Sequence, residues 1–283
     1  MSTGGSSPST SPPAGRPRGW DCHAHLFGPY DRFPLAADRA YTPPEALAAQ
    51  YLALLSRLGL SHGVLVHPTA YAEDYSLLLE ALAAQPNLRG VVVTRAGGPL
   101  KLAGLRERGV RAARFSHRTG AGANFAGSAS FDDLLKLAEP LAEAGLHAEL
   151  WTDCKAFAEI ADQVAKLPLP VVVDHMGGFD VDAGIDEPGF KSLLSLLASG
   201  RIHIKLCAYR NLLRKPDMDA GRPFHRAMLD ANPGNLVWGS DWPHLRVTPV
   251  PDALQLLQVF KDWTGNDELV ERILWSNPAA LYE

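Results

Sequence analysis

Cysteine is scarce in this sequence. There are three in 283 residues, Cys22, Cys154 and Cys207, and no CxxC. Three cannot be fully paired within one chain, which excludes a disulfide framework and a structural zinc finger and points to a reducing cytoplasm. An excess of either charge is also missing. Lys and Arg total 27 against 31 Asp and Glu, a formal charge of -4. Sequence-independent nucleic-acid binding needs a dense cationic face, so nucleic acid is not an expected partner. No apolar run reaches the roughly 18 residues of a membrane span, so no membrane partner is expected either. No GxGxxG follows an early strand-like run, and no GxSxG occurs anywhere. The first absence argues against a dinucleotide-binding sheet, the second against a serine hydrolase.

What is present falls into two parts. Residues 1–18, MSTGGSSPSTSPPAGRPR, are Ser, Pro, Gly and Thr with two arginines. Such a segment cannot bury enough surface to offset its ordering entropy, and it reads as a flexible tail without the apolar middle of a secretory signal. Residues 19–283 alternate short apolar runs with longer amphipathic stretches and read as one domain. The runs are Trp20–Leu26, His62–Pro68, Leu88–Thr94, Val110–Ser116, His147–Thr152, Pro170–Met176, Ile202–Ala208 and Asn235–Asp241. VVVT, PVVVDHM and NLVWGSD are rich in β-branched and aromatic residues, as buried parallel strands are. Stretches such as Pro44–Gly59, Phe131–Gly145 and Phe190–Gly200 end in Gly, a helix stop signal. Pro251–Trp263 follows the last strand at helical spacing, and Asp267–Tyr282 supplies short closing helices. Eight strand-then-helix units in about 265 residues predict an α/β fold, a closed (β/α)8 TIM barrel. An open doubly wound sheet is the alternative. Nothing ranks one helix face above another as a contact between copies.

A barrel places its reacting groups where strands end, at the C-terminal face. Side chains alternate along a strand, so His23 and His25 share one face of the first strand, and Cys22 and Ala24 the other. The sixth strand ends in Asp174-His175 and the eighth in Ser240-Asp241. His23, His25, His175 and Asp241 are therefore the candidate catalytic residues. The same four suit one divalent ion, zinc or manganese, and equally suit a metal-free acid–base site. Arg114 lies on the fourth strand, sharing a face with Ser116 and with Arg118 if the strand extends that far, and Arg210 follows the seventh; their forks match carboxylates, which implies an anionic substrate. Trp151 can stack on a flat substrate or fill the core. Glu149, on the same face, is costly to bury without a partner and is expected to meet a cation, an imidazole or a ligand. Thr69, with His67 and Tyr71, is expected at the barrel mouth. Lys205 reads as a core layer residue, His62, His147 and His203 as structural, and His225 as surface. His244 is expected behind the Asp241 carboxylate.

WDCHAHLFGPYDRFPLAADRAYTPPEA, VVVDHMGGFD and WGSDWPH, in that order, resemble the amidohydrolase superfamily. Within it they are similar to the lactonase branch, which includes pyrone-dicarboxylate and sugar lactonases. The resemblance runs from about Trp20 to Tyr282 and implies a barrel that hydrolyses a small carboxylated lactone. It implies that His23, His25, His175 and Asp241 form the reacting set, and that Arg114, Arg118 and Arg210 grip substrate carboxylates. It also implies that Tyr41 lines the pocket, and that at most one ion is held, since no bridging ligand for two is present. The VHPTAYAED loop and the arginine spacing depart from the pyrone enzyme and leave the particular lactone open. A metal-dependent decarboxylase of an aromatic or unsaturated acid uses the same scaffold and is the alternative. A barrel that only binds a ligand has no use for the intact histidine–aspartate set.

Overall fold

The computed structural model of the chain describes residues 18–120, 125–214 and 217–283. The sequence's tail lies, but for Arg18, outside the described residues. Eight parallel strands follow one another around the sheet in chain order. They are β1 (Trp20–Ala24), β2 (His62–Val66), β3 (Leu88–Val92), β4 (Val110–His117), β5 (His147–Thr152), β6 (Val171–Val173), β7 (Ile202–Leu206) and β8 (Leu236–Trp238). Outside them lie helices α1 (Ala48–Leu58), α2 (Ser76–Ala84), α3 (Phe131–Glu143), α4 (Cys154–Val164), α5 (Pro188–Ala198), α6 (Arg222–Ala231) and α7 (Ala253–Thr264). This is the (β/α)8 barrel that the alternation predicts, with one difference. No helix follows β3; turns carry the chain to β4.

Local chemistry sets the helix ends. Ser130 caps α3, its hydroxyl accepting from Asp133 N–H at 3.2 Å while the Asp133 carboxylate accepts from Ser130 N–H at 2.9 Å. Each bond satisfies a helix-end or flanking N–H that would otherwise lack a partner. Gly59 ends α1 with a φ of 69°, the left-handed geometry glycine adopts at least cost. Among the described residues no helix is long and apolar enough to cross a membrane.

Two apolar layers hold the barrel. The larger fills the space between strands and helices. The smaller fills the barrel interior with Trp20, Cys22, Val64, Val66, Val91, Ala112, Val237 and Tyr282. Tyr282 comes from α9 (Asn277–Tyr282), which follows the short α8 (Asp267–Glu271) and a π-helical turn. It closes the barrel floor, stacked on Trp20 at 6.0 Å between ring centroids. Each of these buried aromatics contributes roughly 2–3 kcal/mol by leaving water.

The strand ends depart from the sequence pattern, and the site is built there. The β1 register slips between Asp21 and Ala24. A bulge of this kind breaks strict alternation. Cys22, expected to face away from the histidines, accordingly lies in the interior cluster, whereas Ala24 packs in the outer one. Strand β6 stops at Val173, because His175, Met176 and Gly177 take φ values of 49°, 55° and 68°. Strand β8 stops at Trp238, and Asp241 takes a φ of 60°. Residues at such angles are uncommon for non-glycine side chains and concentrate at functional sites.

Candidate active site

The ring closes between β8 and β1, and that closure aims the first two histidines and the late aspartate at one point. Asp241 N–H donates to the His23 carbonyl at 2.8 Å, and His25 N–H to the Trp242 carbonyl at 2.8 Å. Behind them the buried Asp21 carboxylate accepts from Ser240 N–H at 2.7 Å and from the Ser240 hydroxyl at 2.6 Å. Gly239 is required here. A Cβ on it would sit 2.7 Å from the His23 Cβ.

The four sequence-predicted residues meet. His23 Nε2 lies 3.2 Å from His25 Nε2 and 3.6 Å from Asp241 Oδ1, and His25 Nε2 is 3.5 Å from the same oxygen. The His175 and His23 ring centroids are 4.8 Å apart. His175 also offers a nitrogen within 4.8 Å of ligand atoms of Asp241 and Cys207. His175 Nδ1 is buried with no hydrogen-bond partner. Burial lowers the His175 pKa to about 4, so its ring is neutral at pH 7. Burial alone would raise the Asp241 pKa. Arg210, His175, His25 and His23 outweigh that and hold it well below the usual carboxylate range. Its Oδ2 accepts from the Tyr209 hydroxyl at 2.7 Å and from Arg210 Nε, leaving Oδ1 turned toward the histidines.

These atoms fit a divalent ion. Ligands about 2.1 Å from one tetrahedral centre lie ~3.4 Å from each other. His23 Nε2, His25 Nε2 and Asp241 Oδ1 are 3.2, 3.5 and 3.6 Å apart. His25 Nδ1 donates to the Val66 carbonyl at 2.8 Å, so its Nε2 carries the lone pair.

A cavity opens over this cluster, with about 620 Å³ of empty space counting its solvent-open mouth. His25, His175 and Asp241 form one wall; Arg114, Arg210 and Arg246 stand on others, with Tyr41, Thr69, Trp151 and Phe125 completing the lining. Arg114 Nε donates to Asp174 Oδ2 at 2.7 Å. Tyr41 is hydrogen-bonded to Thr69, and burial raises its pKa. Arg118 does not line this cavity. Its guanidinium lies 4.4 Å from the centre of the Trp151 ring, and it faces a groove with His117 and Glu159.

Several residues of this site carry little sequence signal. Asp174, next to His175, is fully buried against Arg114, Lys205 and His23. Lys205, read as a layer residue, donates to Glu149 Oε2 at 2.6 Å, which meets the expectation that Glu149 finds a cation. Arg246 and Tyr209 belong to loops with no strand register to place them. His225, read as surface, is buried and bonded to the Thr264 hydroxyl at 3.0 Å. His244 reaches Asp241 through the main chain, N–H to carbonyl at 2.9 Å, while its ring packs on Tyr209. Tyr209 in turn donates to the Asp241 carboxylate, so His244 stands one side chain away from it.

The amidohydrolase family profile matches residues 20–283. The chain belongs to this family. It is 32% identical over 273 residues to the 4-sulfomuconolactone hydrolase of Rhizobium radiobacter, covering 94% of this chain and 90% of that one. It is 31% identical over 275 residues to the 2-pyrone-4,6-dicarboxylate hydrolase of Comamonas testosteroni, covering 93% and 89%. A crystal structure of a Pseudomonas putida protein, named for 2-pyrone-4,6-dicarboxylic acid hydrolysis, superposes with a TM-score of 0.76 at 30% identity, over 94% of this chain and 97% of that one. The family match thus spans all eight strands of the barrel.

Proposed function

We propose that this chain opens the ring of a small carboxylated lactone by hydrolysis. One observation carries the reading: the ionised Asp241, the histidines and three guanidinium-bearing side chains face a single cavity. A carboxylate among imidazoles supplies proton transfer, and the guanidiniums supply anion binding. Relatives at about 30% identity are named as hydrolases of anionic lactones, which supports the same class of substrate here. No feature of the cavity favours decarboxylation over hydrolysis.

In this reading Asp241 Oδ1 takes a proton from the water that attacks the ester carbonyl. A carboxylate held well below its usual range is a weak base, so the carbonyl must be made a better electrophile. His23, His25 and Asp241, with His175 beside them, would hold one zinc or manganese ion, which polarises the carbonyl and acidifies the water when bound. Tyr209 and Arg210 fix the rotamer of the Asp241 carboxylate through Oδ2 and so aim Oδ1 at the ion site and the water beside it. Arg114 and Arg246 bind substrate carboxylates and hold the ring at attack distance. Trp151 gives the ring a flat wall, and Tyr41 and Thr69 line the same cavity. Arg118 keeps Trp151 in place by stacking on it. Three buried free cysteines suit a reducing cytoplasm.

The test is acid release from a panel of carboxylated lactones, read with ion content before and after chelation. Ring opening without carbon loss is expected, and it is expected to fall with the ion. Carbon dioxide release, or no turnover of any anionic lactone, would overturn the reading.

A further inference from the structure

Beneath the histidines the barrel interior holds a buried chain of charges that the hydrolytic reading does not use. It begins at the floor. The Tyr282 hydroxyl donates to Glu149 Oε1 at 2.9 Å, and Glu149 Oε2 accepts from Lys205 Nζ at 2.6 Å. Lys205, Glu149 and Asp174 are all fully buried. Burial disfavours the Lys205 charge, but Asp174 and Glu149 outweigh it and raise its pKa, so the ammonium persists.

An ammonium has three protons to place. Besides Glu149, Lys205 Nζ lies 3.2 Å from Asp174 Oδ1 and 3.3 Å from His23 Nδ1. His23 Nδ1 lies 3.3 Å from Asp174 Oδ1 as well. One ring nitrogen therefore stands equally far from a compulsory donor and a compulsory acceptor. If Nδ1 accepts from Lys205, the ring proton sits on Nε2 and points toward His25 Nε2, 3.2 Å away. His25 accepts it there and donates from its own Nδ1 to Val66. Every member of that series is then satisfied without an ion, and the buried Asp174 Oδ1 is the atom left without a hydrogen-bond partner. If Nδ1 donates to Asp174, Nε2 carries the lone pair that an ion needs. Burial and the Lys205 charge hold the His23 pKa well below its usual value. The ring is neutral in both arrangements.

We propose that Lys205, anchored through Glu149 to Tyr282, is a positioning residue that competes with Asp174 for His23 Nδ1 and so sets whether His23 faces the site as a donor or as an ion ligand. On ion binding the proton leaves Nε2 for water, and water returns one to Nδ1. The inference deepens the proposed ion-holding role of His23, and its test uses no lactone. Its failure and that of the lactonase reading are therefore separate results.

The test is the histidine long-range ¹H–¹⁵N spectrum of the full chain, stripped by chelator and then titrated with zinc, with zinc affinity measured by calorimetry. In the stripped protein His23 is expected to carry its proton on Nε2, and zinc should move it to Nδ1. Two variants should act in opposite directions. Lys205→Met with Glu149→Gln removes the charge pair as a unit; it should place the proton on Nδ1 without zinc and tighten zinc binding about tenfold. Asp174→Asn should keep the proton on Nε2 and weaken zinc binding about ten- to a hundredfold, the usual range for a ligand's hydrogen-bond partner. A purely structural role predicts loss in both. A stripped wild-type protein with the proton already on Nδ1 overturns the proposal by itself, as does weakened zinc binding in both variants.

Discussion

Asp241 and His23, 218 positions apart in the sequence, are joined through their main chains: the Asp241 N–H donates to the His23 carbonyl at 2.8 Å. The link is made where β8 meets β1, so the closure of the barrel and the assembly of the site are one event. Gly239 permits it by leaving room for the His23 Cβ. Gly239→Ala should therefore cost about 1–3 kcal/mol of stability through overpacking. It should also lower kcat by more than the stability loss explains. Melting and turnover measured on the same preparation check this; loss of stability with normal kcat would separate closure from function.

Asp241→Asn keeps the shape of the side chain and its contact with Tyr209 but removes the base. Turnover is expected to fall by about 10²–10⁴-fold, with Tm within a few degrees of the parent. Steady-state kinetics and a thermal melt decide it, and near-normal turnover would remove Asp241 from the mechanism.

Arg246 is exposed at the cavity rim and has no hydrogen-bond or ion-pair acceptor among the described residues. Arg246→Met should raise KM for an anionic lactone about tenfold while leaving kcat nearly unchanged. Arg118→Met should move KM less than about twofold, since Arg118 stacks behind Trp151 and takes no part in the lining. Equal effects of the two changes would contradict this division of roles.

His225 gives a pH signature remote from the site. Burial lowers its pKa to about 3, against about 6.5 in an unfolded chain. Between these values the unfolded state binds the extra proton, so stability rises with pH there. The contribution is complete above pH 6.5 and is lost as pH falls toward 3. From pH 7 to 4.5 this one residue should take away about 2–3 kcal/mol. His67 and His175, each lowered to about 4, add to the same acid limb, so the comparison must be with His225→Phe. Urea unfolding at both pH values should show the loss smaller in the variant by that amount.

Much of this arrangement was legible in the sequence because apolar runs mark strands wherever the backbone is regular. The predicted starts of β1, β2, β3, β4, β5 and β7 coincide with the observed ones. Periodicity fails where the backbone leaves the strand, at the bulge after Asp21 and the left-handed residues 175–177 and 241. No hydrophobic pattern encodes a positive φ on histidine or aspartate. The histidines and Asp241 could still be found, since residue type and strand-end position sufficed. Lys205 could not be told from a layer residue, because a lone lysine in IHIKL reads the same whatever lies across the barrel. His225 was misplaced because Arg222 and Arg226 stand close to it in RPFHRAMLDA and make its surroundings read as solvated. Its packing on Phe260 and Trp263 comes from α7, which sequence spacing does not bring near.

The aromatic wedge at the barrel floor ties distant events together. Tyr282 both seals the interior cluster and caps the carboxylate that anchors Lys205. Fraying of α9 would open to bulk water a compartment that is fully buried when intact, hydrating the ammonium and loosening its hold on the histidine above. Damage at the foot of the molecule would thus be felt at its mouth.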